Sequence, residues 1–308
     1  MICGRKSLWR LHHQRKGKNM NPRPFKRLMA VALSILISLN IAHVPKAAAE
    51  EQIIEPMNWN GVQSLINGAS DYATIDLSKL ESPSTGGLFT SAEFITIKIP
   101  RGKSLTIKGK SGTTFKNTAF VFEGDNNIII EDLNVQSANN HNGTTNGGGV
   151  AYAPLYFSYG ENVLTLRGVN NVTSGQSSVA DNYGAALNVN SQASLTITED
   201  THAIEASLNA TGGARGAGIG GGERGGSGSI AISGGTVNAK GGSYAPGIGA
   251  GGSGGTIDSI TIADGIVTAT GADGAAGIGL SSGTGGQVNN ITISGGFVLE
   301  KRGFRTNF

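Results

Sequence analysis

Apolar and polar residues alternate along much of the chain in short runs that end at glycine, asparagine or aspartate. The alternation is clear at 94–99, 104–108, 119–122, 127–135 and 194–198. A period of two residues is typical of a half-buried β-strand. Because the intervals between the runs are too short for crossover helices, the pattern predicts an all-β chain and excludes a doubly wound α/β fold.

The C-terminal third of the chain repeats itself with a period of about 30 residues. A Gly-Ile-Gly phrase and an alternating apolar phrase each occur three times, at 218–220, 247–249 and 277–279 and at 230–235, 260–265 and 291–296. Such a period is the signature of a solenoid, in which each unit buries its apolar face only by stacking on the next. The apolar positions recur in phase between the glycines, which a flexible linker would not require. The repeat therefore predicts a folded β-solenoid.

One stretch near the start of the mature chain departs from the alternating pattern. In residues 58–69 the apolar residues Trp59, Val62, Leu65 and Ile66 fall at helical spacing, and the first residue of the stretch is an asparagine, a good N-cap. Exposed strand edges invite pairing with other chains. We therefore expect a short amphipathic helix that caps the open end of the solenoid.

The first 49 residues have the three parts of a secretory signal peptide: a basic segment, an apolar segment at 28–42 and an Ala-x-Ala site at 47–49. The apolar segment is shorter than a bilayer core requires, so we expect cleavage and no membrane span in the mature chain. An uncleaved membrane anchor is the alternative. Met20 is a second candidate for the start of translation. The only cysteine, Cys3, lies in this leader, so the secreted chain would contain no disulfide.

The overall charge of the chain hides an acidic mature protein. Ten of the 24 Lys and Arg residues lie in residues 1–49, which contain no Asp or Glu, so residues 50–308 carry 14 basic against 21 acidic residues. Nucleic-acid binding depends on a basic surface that neutralises phosphate. The charge balance therefore argues against a nucleic-acid partner.

These patterns divide the chain into five segments. We expect a signal peptide at 1–49, a linker and capping helix at 50–69, irregular β-helix coils at 70–207, three glycine-rich repeats at 208–298 and a tail at 299–308.

Three parts of this division have two interpretations each. The polar stretch 138–150 is a protruding loop that either forms a binding face or is an insertion without a role. Residues 70–200, where the repeats are irregular, form either further coils or a β-sandwich. The tail at 299–308 either covers the last strand edge or shows that the chain is the front part of a longer surface protein. An uncovered edge would lead to edge-to-edge self-association.

The sequence resembles two groups of known proteins. Residues 216–222 and 229–237 resemble the glycine-rich repeats of large bacterial surface proteins. Residues 94–135 are similar to right-handed parallel β-helix proteins, the pectate-lyase-like superfamily in the broad sense. The resemblance implies a right-handed parallel β-helix. It does not imply one activity, because that superfamily contains lyases, hydrolases, adhesins and passive stalks.

Polysaccharide lyases of the resembled superfamily hold Ca²⁺ with carboxylates on one face and use a basic residue as proton acceptor. The resemblance makes Asp125 and Asp132 candidate ligands, with Glu131 as a further carboxylate, and makes Arg167 or Lys108 the candidate base. Glu131 and Asp132 follow a strand and point to opposite sides, so only one of them can join a common site. The alternative is that all these groups are solvated charges at turns and strand ends.

Four tyrosines are candidate glycan contacts: Tyr152, Tyr156, Tyr183 and Tyr244. Sugar sites combine a stackable aromatic face with amide and acid hydrogen-bond partners. If the segment around Tyr152 and Tyr156 is a strand, these two share one face, while Tyr159 lies on the opposite, core-like face. The alternative is that the alternating members of this segment are simply core.

Together the patterns predict a secreted or cell-surface, non-enzymatic β-solenoid that serves adhesion or carbohydrate contact. Its expected partners are glycans or other cell-surface polymers. No cofactor or metal is expected, since His141 and His202 are too isolated for a zinc site. The alternative is a polysaccharide lyase or another carbohydrate-active enzyme of the β-helix fold, for which Ca²⁺ would be required.

Overall fold

The computed structural model describes residues 52–81, 95–137, 153–175, 184–252, 254–282 and 285–303. The predicted signal peptide, the polar loop 138–150, Tyr152 and Tyr183 lie outside the described residues. Within them the chain forms one α-helix, one 3₁₀ turn and twenty β-strands.

The helix α1 spans Trp59–Gly68 and the 3₁₀ turn spans Leu77–Lys79. The strands are β1 (Ile53–Ile54), β2 (Ala73–Asp76), β3 (Ile95–Ile99), β4 (Ser104–Lys108), β5 (Phe115–Lys116), β6 (Thr118–Phe122), β7 (Asn127–Glu131), β8 (Asn134–Gln136), β9 (Leu155–Phe157), β10 (Gly160–Thr173), β11 (Leu187–Val189), β12 (Ala193–Glu199), β13 (Ala206–Thr211), β14 (Ile219–Gly220), β15 (Ser229–Lys240), β16 (Ile248–Gly249), β17 (Thr256–Thr270), β18 (Ile278–Gly279), β19 (Gln287–Ile293) and β20 (Phe297–Lys301).

The chain is a parallel β-helix. Every pair of named strands in the described residues is parallel, and the strands form one sheet of seven and one sheet of thirteen. The seven-stranded sheet, ordered β3-β6-β9-β11-β14-β16-β18, is called the first face. The β-sandwich interpretation of residues 70–200 is therefore wrong for the described part of that segment, because sandwiches join their strands in antiparallel pairs.

The thirteen-stranded sheet bends along its length and supplies two further faces. In β10, the residues up to Arg167 pair with β7 and β12, whereas the residues from Gly168 onward pair with β8 and β13. Gly168 has a φ of +66°, a left-handed conformation that suits glycine at such a corner. The second face precedes this bend and contains β1, β2, β4, β7, β12, β19 and the first halves of β10, β15 and β17. The third face follows the bend and contains β5, β8, β13, β20 and the second halves of the same three strands.

Equivalent positions of the sequence repeat lie directly above one another. On the first face, Ile219 pairs with Ile248 and Ile248 pairs with Ile278. On the other two faces the same stacking joins the alternating apolar phrases, through the pairs Ile230–Ile260, Ile260–Ile291, Val237–Val267 and Val267–Val298. One repeat is therefore one coil of the β-helix.

The interior of the β-helix consists of columns of apolar side chains, one side chain per coil. One column on the second face contains Ala73, Leu105, Ile128, Leu164, Ile197, Ile232, Ile262 and Ile293. All members of this column except Ile293 are buried. Full burial of one Leu or Ile side chain contributes about 1.5–3 kcal/mol, so such columns are the main source of stability in a chain without disulfides.

The interior side chains become smaller toward the C-terminal coils. The earlier coils bury phenylalanines, and the rings of Phe122 and Phe157 stack with centroids 4.7 Å apart. The later coils have only two-residue strands on the first face, and the glycines there allow backbones to approach closely. At Gly249, which has a φ of +147°, a Cβ atom would lie 1.9 Å from the carbonyl oxygen of Gly279.

The helix predicted over 58–69 is α1. The side chain of the N-cap Asn58 accepts a hydrogen bond from the Gly61 N–H at 3.1 Å, and Val62 and Ile66 are buried against the core. Leu65, which the helical pattern assigned to the same apolar face, is exposed. The side-chain amide of Gln63 accepts from the Lys98 N–H at 2.7 Å and donates to the Lys98 carbonyl oxygen at 2.9 Å. It therefore makes the two hydrogen bonds that a neighbouring strand would make to β3.

Candidate functional site

Four charged side chains form a continuous column at the corner between the second and third faces. Lys108, Glu131 and Arg167 are register neighbours on β4, β7 and β10, and Asp200 follows the end of β12. Lys108 Nζ lies 3.1 Å from Glu131 Oε1, Arg167 Nη1 lies 2.9 Å from Glu131 Oε2, and Arg167 Nη2 lies 2.7 Å from Asp200 Oδ2. These four residues are called the ion-pair column.

The pairing shifts the pKa of every member of the ion-pair column toward its charged form. Burial raises the pKa of Glu131, but hydrogen bonds from Arg167 and Lys108 outweigh it and hold that pKa below its ordinary value. The hydrogen bond to Glu131 raises the pKa of Lys108. Burial lowers the pKa of Arg167, but its bonds to Glu131 and Asp200 leave the pKa raised. Two hydrogen bonds lower the pKa of Asp200. The larger effect comes from the backbone N–H of His202 and the smaller one from the side chain of Arg167.

These shifts bear on the candidate base of the lyase alternative. A proton acceptor needs a pKa near the working pH. The pKa of Arg167 is raised, which moves it further from the working pH. The Arg167 guanidinium also donates to two carboxylates at once. The geometry therefore makes Arg167 a structural cation that joins its own coil to the coils before and after it.

The two candidate Ca²⁺ ligands lie at opposite ends of β7. Asp125 precedes the strand, and its Oδ1 accepts from the Glu161 N–H at 2.9 Å. Asp132 follows the strand, and its Oδ1 accepts from the Val169 N–H at 3.0 Å. The Glu161 N–H and then Arg101 lower the pKa of Asp125. The structure does not bring the two carboxylates together, and both secure corners of the coil.

No metal site is assembled in the part of the chain that the structure describes. There, no group of three or more His, Cys, Asp or Glu side chains is placed to hold a metal ion. His202 is exposed beside Asp200, with Nδ1 3.4 Å from Asp200 Oδ1.

A tyrosine that the sequence pattern placed in the core is instead exposed at the corner between the first and second faces. Strand β9 ends at Phe157, and Tyr159 is 39% exposed. The prediction that Tyr159 lies on the core-like face is therefore wrong, because alternation stops where the strand ends. The glycine at position 160 is the sequence signal that marks this corner. Its φ of +70° is a left-handed conformation that suits glycine.

The Tyr159 ring is held in place by its surroundings. It lies so close to the Gly124 backbone that a Cβ atom there would fall 2.7 Å from the ring. The Arg101 guanidinium carbon lies 5.8 Å from the ring centroid, and Arg101 Nε donates to Asp125 Oδ2 at 2.6 Å. Arg101, Asp125 and Tyr159 are called the first tyrosine cluster.

Tyr156 lies three residues earlier on the outer side of the first face. It is half-buried between two buried neighbours, Leu155 and Phe157. Its hydroxyl accepts a hydrogen bond from Asn190 Nδ2 at 3.1 Å. The alternation predicted for this segment is therefore present in β9, with Tyr156 on its outer side.

Tyr244 belongs to a similar group at the corner between the third and first faces. Tyr244 is 44% exposed, and the Arg215 guanidinium carbon lies 5.9 Å from the centroid of its ring. Arg215 Nη1 also lies 2.7 Å from Glu223 Oε1. Arg215, Glu223 and Tyr244 are called the second tyrosine cluster. Each tyrosine cluster thus combines an exposed ring, a guanidinium near that ring and a carboxylate.

Comparison with known proteins agrees with the fold and leaves the activity open. A family model described as a beta helix repeat matches residues 230–252 and 260–282, which contain parts of two successive coils. Neither a comparison with curated proteins nor one with solved structures found a match. Among the described residues, the single helix is too short to cross a membrane. The chain is thus a β-solenoid that carries beta helix repeats.

Proposed function

We propose that this protein is a secreted or cell-surface β-solenoid that contacts carbohydrate through its exposed tyrosines, without an enzymatic reaction. The observation that carries the proposal is the first tyrosine cluster. Tyr159 presents an exposed ring that the Gly124 backbone and Arg101 hold in one orientation. A ring fixed in advance loses little entropy when a flat sugar face stacks on it.

The groups beside the ring support the same proposal. Arg101, whose guanidinium lies over the Tyr159 ring, and Asp125, which accepts from Arg101, supply hydrogen-bond donors and acceptors beside that ring. The Tyr156 hydroxyl, on β9, accepts from the side chain of Asn190, which directly follows the neighbouring strand β11. Sugar recognition needs this combination of an apolar face and a few fixed polar groups. The second tyrosine cluster repeats the combination at another corner, so one polymer chain or two separate chains can be contacted.

Binding to polysaccharides tests the proposal. The full chain is incubated with a panel of soluble and insoluble bacterial and plant polysaccharides, and the bound fraction is measured by affinity electrophoresis and pull-down. We expect Tyr159→Ala to weaken binding about fivefold, in keeping with the energy of one aromatic contact. Tyr159→Phe is the matched control and should bind almost normally, because it keeps the ring. Normal binding by both Tyr159→Ala and Tyr244→Ala would contradict the proposal.

The same incubation separates binding from catalysis. Polymer chain length is measured by mass spectrometry with and without Ca²⁺. We expect no shortening, since Arg167 is engaged by two carboxylates and Asp125 and Asp132 lie apart. Ca²⁺-dependent shortening would favour the lyase alternative.

Export is tested separately, by sequencing the N-terminus of the protein recovered from culture medium. We expect the first residue to be Glu50.

A further inference from the structure

One coil of the β-helix carries an insertion at the corner between the second and third faces. Leu166 pairs with Glu199, and Gly168 pairs with Ala206. Between these two pairs β10 has only Arg167, whereas the next coil has residues 200–205. In a solenoid, insertions into single coils form loops on one flank, and such loops often form the binding surface. Nothing in the alternating pattern distinguished this insertion from the other corners.

The insertion borders a cavity of about 360 Å³ that is open to solvent. This volume lies within the range of small-molecule sites, roughly 300–1,000 Å³. The cavity is lined by carboxylates, hydroxyls and apolar side chains, among them Glu199, Asp200, Ile204, Glu205, Ser207 and Thr236.

Two hydroxyls form the wall of the cavity on the third face. Ser207 and Thr236 are register neighbours in β13 and β15, about 4.8 Å apart along the solenoid. Ser207 is only 9% exposed, yet its hydroxyl makes no hydrogen bond to any other described residue. A hydroxyl that lines a cavity and has no protein partner bonds to whatever occupies the cavity, whether water or ligand.

The charge of the cavity is unbalanced. Asp200 is paired with Arg167, and Glu199 Oε2 accepts from the Gly235 N–H at 2.9 Å. The Glu205 side chain has no partner among the described residues. Two carboxylates are thus left without a cationic partner, because Arg167 is already shared between Asp200 and Glu131.

We propose that this cavity binds a sugar unit that carries an ammonium group, that is, an amino sugar. The carboxylate of Glu205 neutralises the ammonium, the hydroxyls of Ser207 and Thr236 exchange hydrogen bonds with the sugar hydroxyls, and the exposed Ile204 covers one face of the ring. The carboxylates are not gathered around one point as a metal ion would require. A lysine side chain would leave the two wall hydroxyls without partners. The site is separate from both tyrosine clusters, so it stands or falls independently of them.

Titration of the full chain with simple sugars tests this site. Binding of glucosamine, at a pH where its amine is protonated, is followed by saturation-transfer NMR and compared with glucose, which replaces the amine by a hydroxyl. We expect glucosamine to bind at least fivefold more tightly than glucose, with the preference falling as salt is added. Glu205→Gln, an isosteric change at an exposed position, should reduce glucosamine affinity about fivefold and leave glucose affinity unchanged.

Matched variants distinguish this site from non-specific attraction to an acidic protein. Glu161→Gln removes an exposed carboxylate at another corner and should leave glucosamine affinity unchanged. Ser207→Ala should weaken the binding of both sugars. Equal affinity for glucosamine and glucose would overturn the proposal, as would equal losses in Glu205→Gln and Glu161→Gln. Binding of a lysine-containing peptide as tight as that of glucosamine would also overturn it, because the hydroxyl wall would then play no part.

Discussion

Arg167 shows how a charged residue that suggests catalysis can instead join coils. Adjacent strands place equivalent side chains about 4.8 Å apart, which is close enough for ion pairs between coils. Arg167 uses this spacing in both directions, toward Glu131 in the preceding coil and Asp200 in the following one. Glu131 in turn contacts Lys108, so no charge in the ion-pair column is left unpaired.

We predict that Arg167→Met lowers the free energy of unfolding by about 1–2 kcal/mol, because Glu131 and Asp200 each lose a partner while their side chains are only 19% and 16% exposed. Urea unfolding at pH 7 measures the change. Arg101→Met is the matched control, since the Arg101 side chain is 66% exposed, and its loss should stay below about 0.5 kcal/mol. Equal losses in the two variants would show that burial of the column does not strengthen it.

The pKa shifts of Glu131 and Asp200 predict a loss of stability in acid. Both carboxyls have folded-state pKa values below their ordinary values, which are about 4 in an unfolded chain. Their contribution is therefore fully present above about pH 4 and is lost as the pH falls through the lower folded-state values. Urea unfolding as a function of pH should show this decline. The decline should be shallower in Arg167→Met, and an unchanged slope would contradict the assignment.

The tyrosines mark the limit of what alternation predicts for single residues. Within β9 the alternation assigned the inward Leu155 and Phe157 and the outward Tyr156. Two residues past the strand end, the same rule failed for Tyr159, because a corner resets which side of the backbone faces the core. The Arg101 that lies beside the ring comes from another coil, and no local pattern links the two residues.

At the scale of elements, the two-residue strands of the first face depend on glycine. We predict that Gly249→Ala lowers the free energy of unfolding by more than about 3 kcal/mol or prevents folding. Its φ of +147° disfavours any side chain, and its Cβ would meet the Gly279 carbonyl oxygen. Thermal unfolding followed by circular dichroism measures the effect.

The control for Gly249 is the last residue of α1. A Cβ on Gly68 meets nothing within 4 Å, and alanine favours the helical conformation. Gly68→Ala should therefore be neutral or stabilise by up to about 1 kcal/mol. A Gly249→Ala variant as stable as Gly68→Ala would mean that the first face can relax around a side chain.

The sequence repeat was sufficient to predict the strand register of the C-terminal coils, because Ile219, Ile248 and Ile278 occupy one position in units of nearly constant length. It was not sufficient upstream. There the partners of Arg167 lie 36 and 33 residues away, so no fixed period aligns them. The two tyrosine clusters and the insertion at 200–205 also depend on contacts between coils of unequal length.

At the scale of the whole molecule, the last described coil differs from the others in exposure. Ile291 and Ile293 are 42% and 54% exposed, although their register partners Ile260 and Ile262 are fully buried. In the described residues only one neighbouring coil packs against them. Apolar side chains beside a strand edge favour pairing with a second chain.

We therefore predict concentration-dependent self-association of the chain through this coil, measured by light scattering after size-exclusion chromatography. Ile293→Lys should reduce association, because it places a charge among the inward-facing side chains. Thr292→Lys, one residue away on the outward side of the same strand, is the matched control and should have a smaller effect. A protein that stays monomeric at high concentration would contradict the prediction.

The single direction of strand pairing also determines how the molecule responds to force. Hydrogen bonds between coils point along the solenoid axis, so a load applied between β2 and β20 peels one coil from the next and breaks its bonds in sequence. Each released coil of about 30 residues adds roughly 100 Å of extended chain. A force–extension trace should show nearly equal steps for the coils that contain Ile219, Ile248 and Ile278, and unequal steps for the longer coils before them. The protein would thus act as an extensible tether, lengthening under tension one coil at a time.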